Sequence, residues 1–284
     1  MTAPLPDFAA CRIVGSALTE PFLRLDLPQE LVRRRLLPEA PAGWARLARQ
    51  LRDLGSEDGP ARVHARVLAP FLACVGYGPP RRQPLVVTRE GEEDGGWLCR
   101  APDGTALRSF AAALGAAEGG TVATRGPRAY RDSPLRSAFR VLRACGERAG
   151  VLTDGAVLCL LLADPTRADT RIELPVAACA APIPPDGARL LLALATPAGL
   201  AALPALLEAA RLAQVRVTGT LRLQARAAVE GFVQAVLDHP DNAALRRDRA
   251  RHARAEPCAG PAPLSRARQA PPPTCRRSCG GRRW

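Results

Sequence analysis

The sequence predicts a mixed α/β (α+β) fold that is predominantly helical, with a small antiparallel sheet and a disordered C-terminal tail. Apolar residues recur at intervals of three and four over long stretches on either side of the middle of the chain, which indicates amphipathic helices. Between these stretches, turns rich in Gly, Pro and Asp separate pairs of apolar runs near 97–110 and 150–163, which indicates two hairpins. Beyond about residue 242 large apolar residues almost vanish, and a chain of that composition cannot bury a core.

The N-terminal region has the periodicity of helices that bury one face. Over 28–54 the apolar residues form two stripes, the first of Leu31, Val32, Leu36 and Leu37 and the second of Trp44, Leu47, Leu51 and Leu54. Over 61–75 apolar residues follow each other at i, i+4 spacing, and Pro70 should kink that helix.

The middle of the chain alternates strand and helix signals. A strand is predicted at 85–87, followed by the hairpin near 97–110 with Pro102-Asp103-Gly104 in its turn. Ser133-Pro134 has the residues of a helix start, and Gly146 should end that helix. Asp154-Gly155 is a strong hairpin signal between 150–153 and 157–162, and 171–176 should form a third strand.

Helices are predicted again after residue 190. The uncharged run 190–207 is long enough to span a membrane, but Pro197, Gly199 and Pro204 interrupt it and its flanks are amphipathic. We therefore expect a buried strand followed by a helix that continues to about residue 213, and no membrane insertion. A second helix is predicted over about 218–237, and one of its faces is formed by Leu221, Ala225, Val229, Phe232 and Val236.

Charge is concentrated at the C-terminal end. The net charge is +13, of which residues 246–284 carry +9 and the preceding 245 residues only +4. All forty basic residues are arginine. A basic surplus favours nucleic-acid partners. We expect three regions: 1–125, helices plus a hairpin and a candidate degenerate nuclease part; 126–242, a helix–hairpin–strand unit followed by long helices; and 243–284, the disordered Arg/Pro-rich tail.

Cysteine usage predicts buried, reduced thiols. None of the nine cysteines forms a Cys-x-x-Cys pair, and six of them lie within apolar stretches, so neither a zinc site nor a disulfide framework is expected. The N-terminus lacks the basic region of a signal peptide, and we expect a cytoplasmic protein. The three histidines do not lie in a paired-histidine metal motif, and no Walker loop or nucleophile elbow is present.

The segment from Tyr130-Arg131-Asp132-Ser133-Pro134-Leu135 through Gly150-Val151-Leu152-Thr153-Asp154-Gly155 to Asp164-Pro165 resembles a region of type IIG and type IIS restriction–modification enzymes. These bacterial enzymes fuse an endonuclease to an adenine DNA methyltransferase, and the resemblance lies ahead of the methyltransferase domain. It covers about 125–242 best. It implies that this chain is the N-terminal region of such an enzyme and ends before the methyltransferase domain.

The chemistry of that family does not carry over to this sequence. The methyltransferase uses an Asn/Asp-Pro-Pro-aromatic motif and a glycine-rich loop for S-adenosylmethionine, but Asn242 is followed by Ala243, no Asp precedes a Pro-Pro pair, and no such loop follows a strand. The nuclease binds Mg²⁺ with an Asp and a Glu-x-Lys motif, and this chain has no lysine. The parent family therefore uses S-adenosylmethionine and Mg²⁺, whereas we expect neither a cofactor nor a metal in this chain.

Two sets of residues remain as candidates for a DNA enzyme. Acidic residues lie on both sides of the predicted strand near 97. Glu93, Asp94 and Asp103 are the candidates for a catalytic site in which other residues replace the Glu-x-Lys motif of the family. The alternative is a solvated turn. The candidate DNA contacts are Arg131, Arg136, Arg140 and Arg143, around the helix that begins at Ser133; the alternative is a solvated helix face.

Three functions follow from these observations. The leading one is a non-catalytic or partial N-terminal fragment of a restriction–modification enzyme that helps to position DNA. The second is a non-enzymatic interaction module whose helical C-terminal half binds a protein partner. The third is a Mg²⁺-dependent endonuclease with a substituted site. The basic tail is interpreted as the product of a frameshifted or prematurely ended reading frame, or as an arm that contacts phosphates.

Overall fold

The computed structural model describes residues 5–38, 41–53, 59–120, 122–123, 131–164, 168–244 and 247. The chain divides into two compact units, residues 1–220 and residues 221–284. The mixed α/β, predominantly helical class is confirmed, because about 50% of the chain is helical and 18% is strand. Apart from residues 243, 244 and 247, the predicted tail lies outside the described residues.

The first unit contains all the strands among the described residues. They are β1 (Arg12–Val14), β2 (Arg81–Arg82), β3 (Val86–Val87), β4 (Glu92–Glu93), β5 (Trp97–Arg100), β6 (Ala106–Ala111), β7 (Val122–Ala123), β8 (Arg131–Asp132), β9 (Ala149–Thr153), β10 (Val157–Leu162) and β11 (Thr170–Pro175). The α-helices are α1 (Leu27–Arg33), α2 (Trp44–Arg52), α3 (Pro60–Val63), α4 (Ala69–Cys74), α5 (Pro134–Ala144), α6 (Asp186–Ala195) and α7 (Pro197–Asp238), of which α7 continues into the second unit.

Both predicted hairpins are present, and they belong to one seven-stranded sheet in the order β1-β11-β10-β9-β6-β5-β2. All neighbours are antiparallel except β6 and β9, which pair in parallel, with α5 in the connection between them. The sheet is therefore larger than the sequence predicted, and it takes strands from both regions that the sequence analysis separated near residue 125. Two further hairpins, β3–β4 and β7–β8, lie outside this sheet.

The central strands are buried on both faces of the sheet. Along β10, Leu158, Leu160 and Leu162 pack into the larger core with α1–α4, α6 and the first part of α7, while Cys159 and Leu161 pack with α5. A strand covered on both sides needs apolar residues at every position, which explains the continuous apolar run in the sequence.

Helix α5 has the ends that the sequence predicted. The Ser133 side chain accepts a hydrogen bond from the Arg136 N–H, and Pro134 occupies the first turn. At the other end Gly146 has a φ of 68°, and the N–H groups of Gly146 and Glu147 bind the carbonyls of Arg143 and Leu142. This is a Schellman motif, and it places Glu147 directly ahead of β9.

The turn between β9 and β10 is organised by Asp154, whose side chain is buried. Its carboxylate accepts hydrogen bonds from the N–H groups of Ala156 and Val157 within the turn and from Ala117 in a distant loop, at 2.9–3.0 Å. Gly155 adopts the positive φ that the turn needs. The acidic residue that the sequence identified as a turn signal therefore also fixes a remote loop.

A π-helical turn precedes Pro70 within the helix predicted over 61–75. Residues His64–Leu68 form this turn, and the Ala69 N–H binds the His64 carbonyl five residues back. The same arrangement precedes Pro28, where Phe22–Asp26 form the π-turn. A wide turn of this kind accommodates the missing N–H and the ring of proline without ending the helix.

Two predictions for the region after residue 186 are wrong. The run that begins at Leu190 is helix α6, not a strand: its residues are buried on every side, so apolar periodicity could not distinguish the two. The two predicted C-terminal helices are one helix, α7, because no Gly or Pro interrupts 205–218.

By length and composition alone, α7 would qualify as a membrane-spanning helix, with 28% of its most apolar stretch buried in the protein.

Replacing Asp154 with Ala should destabilise the first unit by about 3 kcal/mol, because three N–H groups lose a charged acceptor in a buried position. Asp103→Ala is the matched control: Asp103 also accepts an N–H bond in a hairpin turn, from Thr105, but it is exposed. We expect the control to lose less than about 1 kcal/mol. Urea denaturation of both variants measures the difference, and equal losses would contradict the role of Asp154.

Candidate functional site

A groove of about 720 Å³ opens beside the C-terminal end of α5. Its walls come from the β3–β4 turn, the last turns of α5, the start of β9 and the residue that follows β10. It is lined by Thr88, Arg89, Glu90, Arg140, Arg143, Ala144, Gly146, Glu147, Arg148 and Ala163. We call it the arginine groove, because four of its ten lining residues are arginines.

Arg140 is held in the wall of the groove by two carboxylates. Its Nε and Nη1 donate to Glu93 at 2.5 Å and to Asp132 at 2.7 Å. Burial acts to lower the pKa of Arg140, but the hydrogen bonds that it donates to these two carboxylates raise it. Burial likewise acts to raise the pKa of Asp132, and the bonds from Arg140 and the Ser133 N–H lower it. Arg140 therefore fastens β4 and β8 to α5.

A buried arginine, Arg108, lies behind the groove. Arg108 on β6 makes a bidentate pair with Glu147 at 2.7 and 2.8 Å, and it donates to the Gly95 carbonyl at 2.6 Å. The hydrogen bond to Glu147 raises the pKa of Arg108, although burial opposes this change. Glu147, which lines the groove, is therefore already engaged in an ion pair with Arg108.

The remaining arginines of the groove are exposed. Arg143 pairs with Asp169 at 2.7 Å, and both side chains are partly open to solvent. Arg89 and Arg148 are exposed, and neither has an ion pair within the part of the chain that the structure describes. These two guanidinium groups can therefore receive an anion without first breaking an internal bond.

The structure separates the four predicted DNA contacts into two pairs. Arg140 and Arg143 line the groove, while Arg131 and Arg136 are exposed at the other end of α5, with Arg136 3.6 Å from Asp132. Arg89, Arg148 and Arg108 were not among the site residues predicted from the sequence. A charged residue within the strand-forming run of β6 was the available signal for Arg108, whereas nothing local distinguishes Arg89 or Arg148 from other surface arginines.

The three candidate catalytic carboxylates do not form a common site. The Glu93 side chain is 1% exposed and is engaged by Arg140 and by the Thr88 hydroxyl. Asp94 is exposed and pairs with Arg82 at 2.6 Å, and Asp103 caps the turn before β6. Among the described residues no three His, Cys, Asp or Glu side chains are placed to hold a metal ion. Glu93, Asp94 and Asp103 therefore do not meet at one Mg²⁺ site in the described structure.

A stack of three side chains lies at the edge of the sheet next to this region. The His64 ring stacks on Trp97 with centroids 4.1 Å apart, and the Arg82 guanidinium lies 4.4 Å from the centroid of the Trp97 ring. Burial, and then the nearby Arg82 charge, lower the pKa of His64. His64 Nε2 is buried and has no hydrogen-bond partner in the described structure. The neutral imidazole is the form that this stack favours.

Four of the cysteines pack as buried thiols in the cores, as the sequence predicted. Cys11, Cys99, Cys159 and Cys179 are free, and burial raises the pKa of each, to about 11 for Cys99 and about 12 for the other three. A thiol with a pKa so far above neutral is protonated at pH 7 and is therefore a poor nucleophile.

A second groove, of about 670 Å³, adjoins the first and shares Glu147 and Arg148 with it. Its far wall is the N-terminal part of α7, which contributes Leu200, Leu203, Pro204 and Leu207 together with Glu208 and Arg211. Arg148 thus stands between a charged groove and a partly apolar one.

No protein-family model matches the chain, and neither a curated protein nor a solved structure is significantly similar to it. The resemblance to restriction–modification enzymes therefore rests on the residues quoted for it in the sequence.

We predict that His64 makes stability depend on pH. Because the pKa of His64 is lowered on folding, the unfolded chain binds more protons, and the free energy of unfolding should fall as the pH drops below about 6.5. The variant His64→Phe keeps a ring on Trp97 but cannot be protonated. Denaturation between pH 7.5 and 5.5 should show a smaller loss for His64→Phe than for the natural chain; identical pH profiles would contradict this prediction.

Proposed function

We propose that this chain is a non-catalytic, DNA-binding part of a cytoplasmic restriction–modification enzyme, and that the arginine groove contacts the phosphate backbone of DNA. The observation that carries the proposal is the exposure of Arg89 and Arg148, without ion pairs among the described residues, in a groove whose other arginines are already bound. Exposed guanidinium groups bind phosphate oxygens through two parallel N–H donors.

The motif residues behind the resemblance support this role, because they build the groove. Ser133 and Gly146 begin and end α5, whose last turns form one wall. The Schellman motif at Gly146 presents Glu147 and Arg148 at the start of β9. These local sequence motifs thus determine where Arg148, one of the two exposed arginines, lies.

The chemistry of the groove favours binding without sequence recognition. Its donors are guanidinium groups that suit phosphates, and contacts of this kind position a protein on DNA without distinguishing bases. We therefore expect an affinity that depends steeply on salt and weakly on sequence.

The test is the salt dependence of DNA binding by the full chain and by the double variant Arg89→Ala/Arg148→Ala. Loss of two phosphate contacts should reduce the slope of log affinity against log salt by about 2. Fluorescence anisotropy with a short duplex, from 50 to 300 mM salt, measures this slope.

The matched control is Arg131→Ala/Arg136→Ala, which removes the same charge at the other end of α5. It should leave the slope close to that of the natural chain. If the control lost as much as the groove variant, or more, the groove would not be the DNA-binding surface. Because all variants keep the basic tail, any binding by the tail is common to them.

The second candidate function is a protein-interaction module, and the C-terminal half of α7 favours it. Within the second unit, the face that the sequence predicted as apolar is open to solvent, with Leu221 58% and Phe232 71% exposed. Exposed apolar faces of this length mark interaction surfaces. The two functions use different parts of the chain and do not exclude each other.

A further inference from the structure

Arg143 differs from the other arginines of the arginine groove in how firmly it is held. Arg140 is bound by two carboxylates, whereas Arg89 and Arg148 have no ion pair among the described residues. Arg143 has one ion-pair partner, Asp169, whose Oδ1 lies 2.7 Å from its Nη2. The side chains of Arg143 and Asp169 are 43% and 36% exposed, so water and solutes reach both members of the pair.

The contact between Arg143 and Asp169 is weaker than its length suggests. The two atoms do not have the geometry of a hydrogen bond, and no other group of the described structure donates one to Asp169 Oδ1. Burial raises the pKa of Asp169 against the effect of the Arg143 charge, whereas at Asp132 the hydrogen bonds outweigh burial and the pKa is lowered. Ion pairs that are open to water contribute little stability. A phosphate that reaches the groove can therefore displace Asp169 from Arg143.

The position of Asp169 beside the groove is fixed by the residue that follows it. Thr170 begins β11 opposite Leu162, the last residue of β10, and it is fully buried. Its hydroxyl donates a hydrogen bond to the Ala168 carbonyl at 3.1 Å and accepts one from the Ala17 N–H at 3.0 Å. The backbone on both sides of Asp169 is therefore anchored, and its carboxylate stays beside the groove.

We propose that Asp169 competes with the DNA backbone for Arg143 and thereby limits the affinity of the arginine groove. The inference rests on the proposed function, and it names a residue that regulates the same site. In the free protein Arg143 pairs with Asp169. In the complex Arg143 donates to a phosphate oxygen, and the Asp169 carboxylate is released to solvent.

The exchange is possible because a guanidinium group binds carboxylates and phosphates with the same pair of N–H donors. DNA must break an internal ion pair to reach Arg143, which it does not need to do at Arg89 or Arg148. Each phosphate contact adds to the affinity for DNA. The chain therefore binds DNA less tightly than the number of arginines in its groove would allow.

The test is the DNA affinity of the full chain and of Asp169→Asn, measured by fluorescence anisotropy with a short duplex at about 100 mM salt. Asn keeps the size of the side chain but lacks the charge, so Arg143 is freed. We expect Asp169→Asn to bind DNA about two- to fivefold more tightly, which corresponds to the loss of one exposed ion pair. Arg143→Ala should bind less tightly than the natural chain. Circular dichroism and urea denaturation establish that each variant is folded.

Two controls separate competition for Arg143 from a general effect of charge. Glu20→Gln removes the same charge from another exposed ion pair, in which Glu20 and Arg24 lie 2.7 Å apart and do not line the groove. This control should change the affinity less than Asp169→Asn does. The second control is Asp169→Asn combined with Arg143→Ala: the gain should be smaller there, because no guanidinium group remains to be released.

Two results would overturn the proposal. Equal gains from Asp169→Asn with and without Arg143 would show that the carboxylate acts only by repelling DNA. No gain from Asp169→Asn would show that Asp169 does not keep Arg143 from phosphate. In both cases the proposed function stands if Arg89→Ala/Arg148→Ala lowers the salt slope as predicted. If that slope is unchanged, the groove is not the DNA-binding surface, and the proposed function fails together with this inference.

Discussion

The ion pair between Arg108 and Glu147 joins the two halves of the sheet. Arg108 lies on β6 opposite Gly150 of β9, at the parallel junction between the N-terminal hairpin and the C-terminal meander. A buried guanidinium is tolerated only with matched acceptors, and Arg108 finds them in Glu147 and the Gly95 carbonyl. Its three attachment points are the loop before β5, β6 itself and Glu147, two residues before β9. The register of the parallel pair and the end of α5 are thus linked through one side chain.

Neighbouring residues are arranged around this interaction. A Cβ at position 150 would lie 2.9 Å from the Leu142 side chain. Because Gly150 has no Cβ, α5 can pack closely on the strands. The Schellman motif at Gly146 turns the chain so that Glu147 points back to Arg108. The same turn leaves Arg148 outside, in the arginine groove. A structural requirement of the sheet therefore positions one of the groups that we propose for DNA binding.

The arginines of this chain divide by burial into two roles. Arg108 is buried and Arg140 is half-buried, and both carry carboxylate partners and hold elements together. Arg89 and Arg148 are exposed and line a groove. All basic residues of this chain are arginines. Composition therefore does not distinguish the arginines that hold elements together from those that line the groove. The role depends on which carboxylates lie within reach, and that follows from the tertiary structure.

The sequence predicted those features that short-range interactions determine. The ends of α5 and the turn at Asp154 were predicted correctly, because caps and turns depend on a few adjacent residues. The parallel pairing of β6 with β9 was not predicted, because it joins strands separated by about 40 residues and has no local signal.

The candidate site was predicted less well than the fold. Glu93 and Arg140 were proposed for different roles, and the structure brings them together as one partly buried ion pair. Charge patterning identifies a charged residue but not its partner, since the two lie 47 positions apart in the chain. The apolar face of α7 shows the converse: its periodicity was visible in the sequence, but its exposure was not.

The most direct measurement is a double-mutant cycle on Arg108 and Glu147, with Arg108→Met, Glu147→Leu and both together, followed by urea denaturation. Breaking a buried pair from one side typically costs about 3–5 kcal/mol, and replacing both members with apolar residues restores much of it. Because the Glu147 side chain is still 26% exposed, we expect single-variant losses near or below the lower end of that range, with a double variant more stable than either single one. Losses that are small and additive would show that the sheet does not depend on this interaction.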